Sequence, residues 1–79
     1  MNFTTKTLDE LPLFVDATVK QFLNDSIKEK MLEMGCLPGM KITINRIAPL
    51  GDPIIISFEE SQLALRKDEA KFISVSLDS

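Results

Sequence analysis

The strongest constraint in this sequence is the placement of its glycines and prolines. All three glycines and three of the four prolines lie between residues 35 and 53. They form two clusters, residues 35–39 and residues 48–53, and an apolar run over residues 40–47 separates them. Glycine and proline set backbone geometry more strongly than other residues do. The clusters therefore predict one helix exit, one tight turn and one bent loop.

The length of the chain limits it to one domain. A domain of 79 residues buries only about 60% of the surface that its unfolded chain exposes, so a second core has no room to form. We therefore predict a single domain over residues 1–79. Residues 1–7 are expected to be loosely ordered, because chain ends are ordered only where something holds them.

The charge and the apolar pattern exclude several classes of protein. Nine basic and twelve acidic residues give a net charge of −3, whereas phosphate backbones are bound by clustered Lys and Arg. Nucleic acid is therefore not an expected partner. The chain has no 18 consecutive apolar residues and no apolar signal segment at its start, so direct membrane insertion is not expected either. A single cysteine adds to a prediction of cytoplasmic localisation.

The side chains that most enzymes use are missing from the sequence. Without histidine, neither a Ser-His-Asp triad nor a His-containing metal cage can form. The candidate acid–base pairs are sequence neighbours, which do not face each other on a helix or strand: Asp9-Glu10, Glu59-Glu60 and Asp68-Glu69. Cys36 follows a predicted helix end, the wrong end to stabilise a thiolate, and is interpreted as an apolar packing residue. We predict no catalytic residue, no cofactor and no metal site.

Hydrophobic periodicity predicts five short strands and one helix. Apolar residues alternate along the chain, as in a half-buried strand, at residues 13–20, 40–47, 54–58 and 72–77, and such an alternation begins at residues 63–65. A break in the second of these predicts a β-bulge near Arg46. A helix is predicted over residues 27–34, with Ser26 as the N-cap of a capping box and Gly35 as its end.

The five strands are too short to bury a core as a flat open sheet. A small, bent antiparallel barrel solves this problem because it removes exposed edges. We therefore predict a mainly β fold, a five-stranded SH3-like barrel with a short helix inserted after the first strand. Any edge strand left exposed would allow a weak homo-oligomer.

Apolar residues at the two glycine–proline clusters form a candidate partner surface. Leu32 lies off the helical stripe that Met31 belongs to, so it is either a partner contact or a partly buried rim residue. Leu50 stands between Pro49 and Gly51, in a loop that either simply needs these bends or presents Leu50 rigidly to a partner. The candidate interface residues are Met31, Leu32, Leu37, Pro49, Leu50 and Asp52.

Three blocks, residues 30–39, 48–54 and 63–70, resemble the ferrous iron transport protein A (FeoA) family. Their spacing is like that of the family, and the block Ala-Pro-Leu-Gly-Asp-Pro over residues 48–53 is distinctive. The resemblance implies an SH3-like barrel with a helical insertion. It also implies a cytoplasmic accessory protein of bacterial ferrous iron uptake that acts by binding. The implied partner is the membrane transporter FeoB, whose cytoplasmic part carries a GTPase domain.

The sequence departs from the family pattern at three places. Phe14 stands where members usually carry glycine, Glu60-Ser61 replaces a Gly-Tyr pair, and Lys30 replaces arginine. The first two bear on turn geometry, and Lys30 loses the planar fork of arginine. A second hypothesis is a small sensor or delivery protein that binds a transition metal through Asp and Glu oxygens, with or without Cys36.

Overall fold

The computed structural model describes residues 3–78 as six strands, two helices and one 3₁₀ turn. In chain order these are β1 Phe3–Thr7, the 3₁₀ turn Leu8–Glu10, β2 Asp16–Phe22, α1 Asp25–Glu33, β3 Lys41–Ile47, β4 Ile54–Phe58, β5 Ser61–Leu65, α2 Lys67–Ala70 and β6 Ile73–Asp78. The strands form one antiparallel sheet in the order β1-β6-β2-β3-β4-β5. The predicted mainly β fold is confirmed, and the predicted helix follows β2.

The count of five strands is wrong by one, because residues 3–7 form β1. This segment was expected to be loosely ordered; Met1 and Asn2 lie outside the described residues. β1 pairs with the last strand, with Thr5 opposite Ser76. Residues 3–7 are therefore a strand through their pairing with β6, although their sequence shows no apolar alternation that would predict one.

Helix α1 begins earlier than its predicted start. Asn24 is the N-cap, in an extended conformation, and its side-chain oxygen accepts a hydrogen bond of 2.7 Å from the Ile27 N–H. Ser26 therefore lies inside the helix, and the predicted capping box is wrong. Asparagine is as good an N-cap as serine. The Lys28 N–H donates to the Asn24 carbonyl at 3.1 Å, so the helical hydrogen bonds of α1 begin at Asn24.

The two predicted glycine turns are confirmed. Gly35 has a φ of +83° and follows the last turn of α1, where a left-handed residue ends a helix without a Cβ penalty. Gly39 has a φ of +95°, and the Met40 N–H closes a turn on the Leu37 carbonyl at 3.1 Å. Pro38 and Gly39 therefore occupy the central positions of a turn that leads into β3.

The predicted bulge is also present in β3. The register between β3 and β4 shifts between Ile44 and Arg46, so one extra residue is inserted opposite β4. The shift brings Ile47 onto the same face as Ile44, because Ile44 lies opposite Ile56 and Ile47 lies opposite Ile54, and both partners are buried. Ile47 is nevertheless 38% exposed, at the end of the strand.

One hydrophobic core is built from all parts of the chain. Leu8 from the 3₁₀ turn, Met31 from α1 and Ala70 from α2 are fully buried with the inward residues of the strands. The largest fully buried strand side chains are Val19, Ile42, Ile44, Ile54, Ile56, Leu65, Ile73 and Val75. Within residues 3–78, neither helix has the length and apolar character needed to cross a membrane.

Candidate functional site

The loop between β3 and β4 holds Leu50 at its tip. The Gly51 N–H donates to the Ala48 carbonyl at 2.7 Å, and the Ala48 N–H donates to the Pro53 carbonyl at 3.0 Å. Pro49 and Leu50 are the two central residues of the inner turn, and Pro49 restricts its own φ. Leu50 is 97% exposed. The loop is therefore closed by its own backbone and presents one bare apolar side chain.

Asp52 connects this loop to α2. Its Oδ1 accepts a hydrogen bond of 3.0 Å from the Lys67 N–H, one of the first backbone donors of α2. Asp52 is exposed, but its carboxylate has a partner within the chain. Its first role in this structure is therefore to position the loop.

An ion pair also links helix α1 to α2. Lys30 Nζ lies 2.9 Å from Glu69 Oε2, and Glu69 Oε1 accepts a hydrogen bond of 3.0 Å from the Arg66 N–H. The bond from Lys30, followed by that from Arg66, holds the pKa of Glu69 below its ordinary value. Because α2 is only four residues long, the loop and α1 contact it about one turn apart at most.

Three apolar side chains are exposed at the end of α1 and just beyond it. Leu32, Met34 and Leu37 are exposed by 40%, 46% and 47%. Apolar groups left in water near one another are typical of a contact surface. We call these three residues together with Pro49 and Leu50 the loop–helix surface.

Met31 does not belong to that surface. It is fully buried beneath α1, together with Ile27, so its prediction as an interface residue is wrong. Met31 and Ile27 are four residues apart, so they lie on the same face of α1, and that face packs against the core. Met34, three residues after Met31, is exposed because α1 ends at Glu33.

The sequence interpretation missed other exposed apolar residues. Phe14 is 72% exposed and lies at a positive φ of 65°, with its N–H donating to the Ile44 carbonyl at 2.9 Å. Its neighbour Leu13, the first residue of the strand predicted over residues 13–20, is 40% exposed and precedes β2, which begins at Asp16. The only available signal was the position of Phe14, where glycine would be expected in the family pattern.

Cys36 is a core residue. It is fully buried, and its N–H donates to the Met31 carbonyl at 2.9 Å. Burial raises the pKa of its thiol to about 11, so the thiol stays protonated at neutral pH. Among residues 3–78, no three or more Cys, Asp and Glu side chains lie close enough together to hold a metal ion.

Fold and surface together define a small SH3-like module with an inserted helix and an exposed apolar loop. A model of the FeoA domain matches residues 6–77. The chain belongs to the FeoA family, whose members are accessory proteins of ferrous iron transport.

Three relatives show how far the similarity extends. The chain is 36% identical over 52 residues to an Fe(2+) transport protein A/Fe(2+) transporter FeoB fusion protein of Porphyromonas gingivalis, covering 66% of this chain and 6% of the fusion. The solution structure of iron(II) transport protein A of Clostridium thermocellum is 38% identical, with a TM-score of 0.82, over 90% of this chain and 44% of that one.

The third relative is FeoA of Stenotrophomonas maltophilia in complex with zinc, described as a unique prokaryotic SH3 domain protein. It is 32% identical, with a TM-score of 0.76, over 87% of each chain. The first two relatives are much longer than this chain, which spans about 6% of the fusion protein and 44% of the Clostridium protein.

Proposed function

We propose that this protein is a cytoplasmic accessory protein that regulates ferrous iron uptake by binding the cytoplasmic, GTPase-bearing part of the transporter FeoB. The observation that carries the proposal is the fusion relative, in which an FeoA segment and FeoB form one polypeptide. Domains that are fused in one organism commonly act on each other as separate chains in another. The fusion identifies FeoB as the partner to test first.

The loop–helix surface supports this function and supplies the contact. Leu50 is almost fully exposed on a loop that its own hydrogen bonds and Asp52 hold in place. A side chain presented rigidly loses little conformational freedom on binding, so more of its burial contributes to affinity. Leu32 and Leu37 add exposed apolar side chains at the end of α1 and beyond it, and α1 is linked to the loop through α2 by the Lys30–Glu69 and Lys67–Asp52 contacts.

The alternative of a metal sensor or delivery protein has less support in the described residues. Cys36, the one thiol that could join Asp and Glu oxygens as a ligand, is buried in the core and protonated. Anaerobic titration calorimetry with ferrous iron separates the two functions. Micromolar binding that disappears when carboxylates are substituted would favour the metal-binding function.

Binding to the purified cytoplasmic part of the cognate FeoB tests the proposal directly. We expect Leu50→Asp and Leu32→Asp each to weaken binding by about tenfold or more, as burying an unpaired carboxylate in an interface would. Phe14→Asp is the matched control, because it removes a similarly exposed apolar side chain outside the loop–helix surface.

Each variant should first be shown to retain the circular dichroism spectrum and melting temperature of the parent protein. If folded Leu50→Asp and Leu32→Asp bind as the parent does, the loop–helix surface is not the contact. If the parent chain does not bind in the nucleotide-free, GDP-bound or GTP-bound state, the proposed function itself fails.

A further inference from the structure

Strand β5 is an open edge of the sheet. It pairs with β4 on one side, and within residues 3–78 no strand pairs with its other side. Ser61, Gln62 and Ala64 are exposed. An unpaired edge carries free backbone donors and acceptors, which are a template for pairing with another strand.

The pairing register identifies which backbone groups are free. β4 and β5 are joined by the two residues Glu59 and Glu60, and Phe58 lies opposite Ser61. In such a hairpin the closing pair is hydrogen-bonded and every second residue follows it. The backbone groups of Ser61, Leu63 and Leu65 therefore face β4, whereas those of Gln62 and Ala64 face outward.

Hydrogen bonds beyond the strand agree with this alternation. The Arg66 N–H, next in the outward series, already donates to Glu69 Oε1 at 3.0 Å. The Lys67 N–H, next in the inward series, donates to Asp52 beside β4. The outward groups left on β5 are therefore the N–H and carbonyl of Gln62 and of Ala64.

Natural sheets usually protect such an edge with lysine, proline, a bulge or a covering element. β5 reads Ser-Gln-Leu-Ala-Leu, with no charge and no proline, and its register with β4 is regular. The charges stand instead at its two ends. Glu59 and Glu60 precede the strand, and Arg66 and Lys67 follow it.

Two copies of β5 that run antiparallel are complementary in charge, because the acidic end of each copy then lies beside the basic end of the other. If two copies of β5 pair antiparallel about Leu63, Gln62 of each copy lies opposite Ala64 of the other. Four backbone hydrogen bonds then use all four free groups of each edge without disturbing the Arg66–Glu69 bond. The same register places Glu60 opposite Arg66 of the second copy, and Glu59 opposite Lys67, twice over by symmetry.

We propose that β5 is a homodimerisation edge, and that its occupant is β5 of a second copy of this chain, paired antiparallel about Leu63. The other possible registers bring Glu60 onto the free edge or need the Arg66 N–H that Glu69 occupies. The strand pair is short, so the dimer is weak and depends on protein concentration. Its end charges attract in this register, so salt weakens it.

Sedimentation equilibrium and amide hydrogen exchange of the full chain test this pairing. Between about 20 µM and about 1 mM protein, we expect a rise in the dimer fraction, within the range of weak association. The amides of Gln62 and Ala64 should gain protection with concentration. Ala64→Pro removes two of the four hydrogen bonds and should abolish dimerisation, whereas Ala64→Ser keeps the N–H and should not.

A charge exchange tests the register. Glu60→Lys and Arg66→Glu should each weaken the dimer by about tenfold because like charges then face each other. The double variant should restore dimerisation. Glu29→Lys makes the same change of charge at an exposed residue of α1 and should leave dimerisation unchanged. Circular dichroism verifies the fold of each variant.

Three results would overturn the proposal. The first is a monomer up to about 1 mM with Gln62 and Ala64 amides unprotected. The second is a dimer that Ala64→Pro leaves intact, which would show pairing through another surface. The third is protection of these two amides only when the cytoplasmic part of FeoB is added, which would assign the edge to a different protein.

Discussion

The Lys67 N–H donates to Asp52 Oδ1 across 3.0 Å, joining the loop after β3 to the first turn of α2. An exposed loop with Leu50 at its tip would otherwise be held only by the turn hydrogen bonds at Ala48. The carboxylate also lies near the backbone donors at the start of α2, where a negative charge is favourable. Asp52 therefore links the presentation of Leu50 to the integrity of α2.

Asp52→Ala is expected to lower the free energy of unfolding by about 1 kcal/mol, since it removes a cap-like acceptor. Asp52→Asn keeps an oxygen acceptor and should cost less. Urea denaturation followed by circular dichroism measures both. Asp68→Ala is the control, because the Asp68 side chain is 91% exposed and its nearest cation, Lys71 Nζ, lies 3.9 Å away. An equal loss in both alanine variants would contradict the role assigned to Asp52.

The Lys30–Glu69 pair should make stability depend on pH. Because the folded-state pKa of Glu69 is lowered, its contribution is fully present above the unfolded pKa and is lost as the pH falls through the folded value. The Lys30 side chain is 38% exposed, so solvent screening limits the contribution to about 0.2–1 kcal/mol.

Thermal unfolding of the parent chain and of Glu69→Gln measures this contribution. The melting temperatures should differ near pH 6 and converge as the pH is lowered towards about 3. The amide introduced by this substitution retains an oxygen acceptor for the Arg66 N–H, so the comparison isolates the charge. A difference that grows in acid would contradict the assignment.

Phe14→Gly should stabilise the protein. Phe14 has a φ of 65°, which costs a residue with a Cβ about 1–2 kcal/mol, and its side chain is 72% exposed. The greater flexibility of glycine in the unfolded chain returns part of this gain, so we expect a net increase of about 0.5–1 kcal/mol. Phe14→Ala keeps the strain and serves as the control in chemical denaturation. A lower stability of Phe14→Gly would show that the Phe14 ring makes contacts worth more than the strain.

The Cys36 thiol should be protected in the folded protein. Full burial and a pKa of about 11 leave almost no accessible thiolate at pH 8. Reaction with a thiol reagent should therefore follow unfolding and become fast in denaturant. Cys36→Ala should cost less stability than Cys36→Ser, which buries a hydroxyl in the core. Rapid labelling under native conditions would place Cys36 nearer the surface.

Local backbone requirements made parts of the fold predictable. Gly35 and Gly39 lie at positive φ because the helix end and the turn need it, and few other residues supply it. The bulge at Arg46 was visible because it interrupts a regular alternation. β1 depends instead on pairing with β6 about seventy residues away, as Thr5 with Ser76 shows, and both sides of that pair are polar. Such long-range pairing has no local pattern.

The candidate surface was predictable only in part. The glycine and proline around Leu50 announced a loop, and the loop exposes Leu50 fully. The burial of Met31 depends on how α1 lies against β2, which helical periodicity alone does not determine. The open edge of β5 follows from the strand order. No single segment of the sequence contains that information.

The last strand in the chain occupies an interior place in the sheet, between β1 and β2. When β1 to β5 have emerged from the ribosome, β1 and β2 therefore still lack β6, the strand that pairs with both of them. We expect this domain to stay unfolded on the ribosome until Ile73 and the residues after it have emerged, because β1 and β2 both pair with β6. A truncation before Ile73 would deprive β1 of its only strand partner among the described residues and open the middle of the sheet.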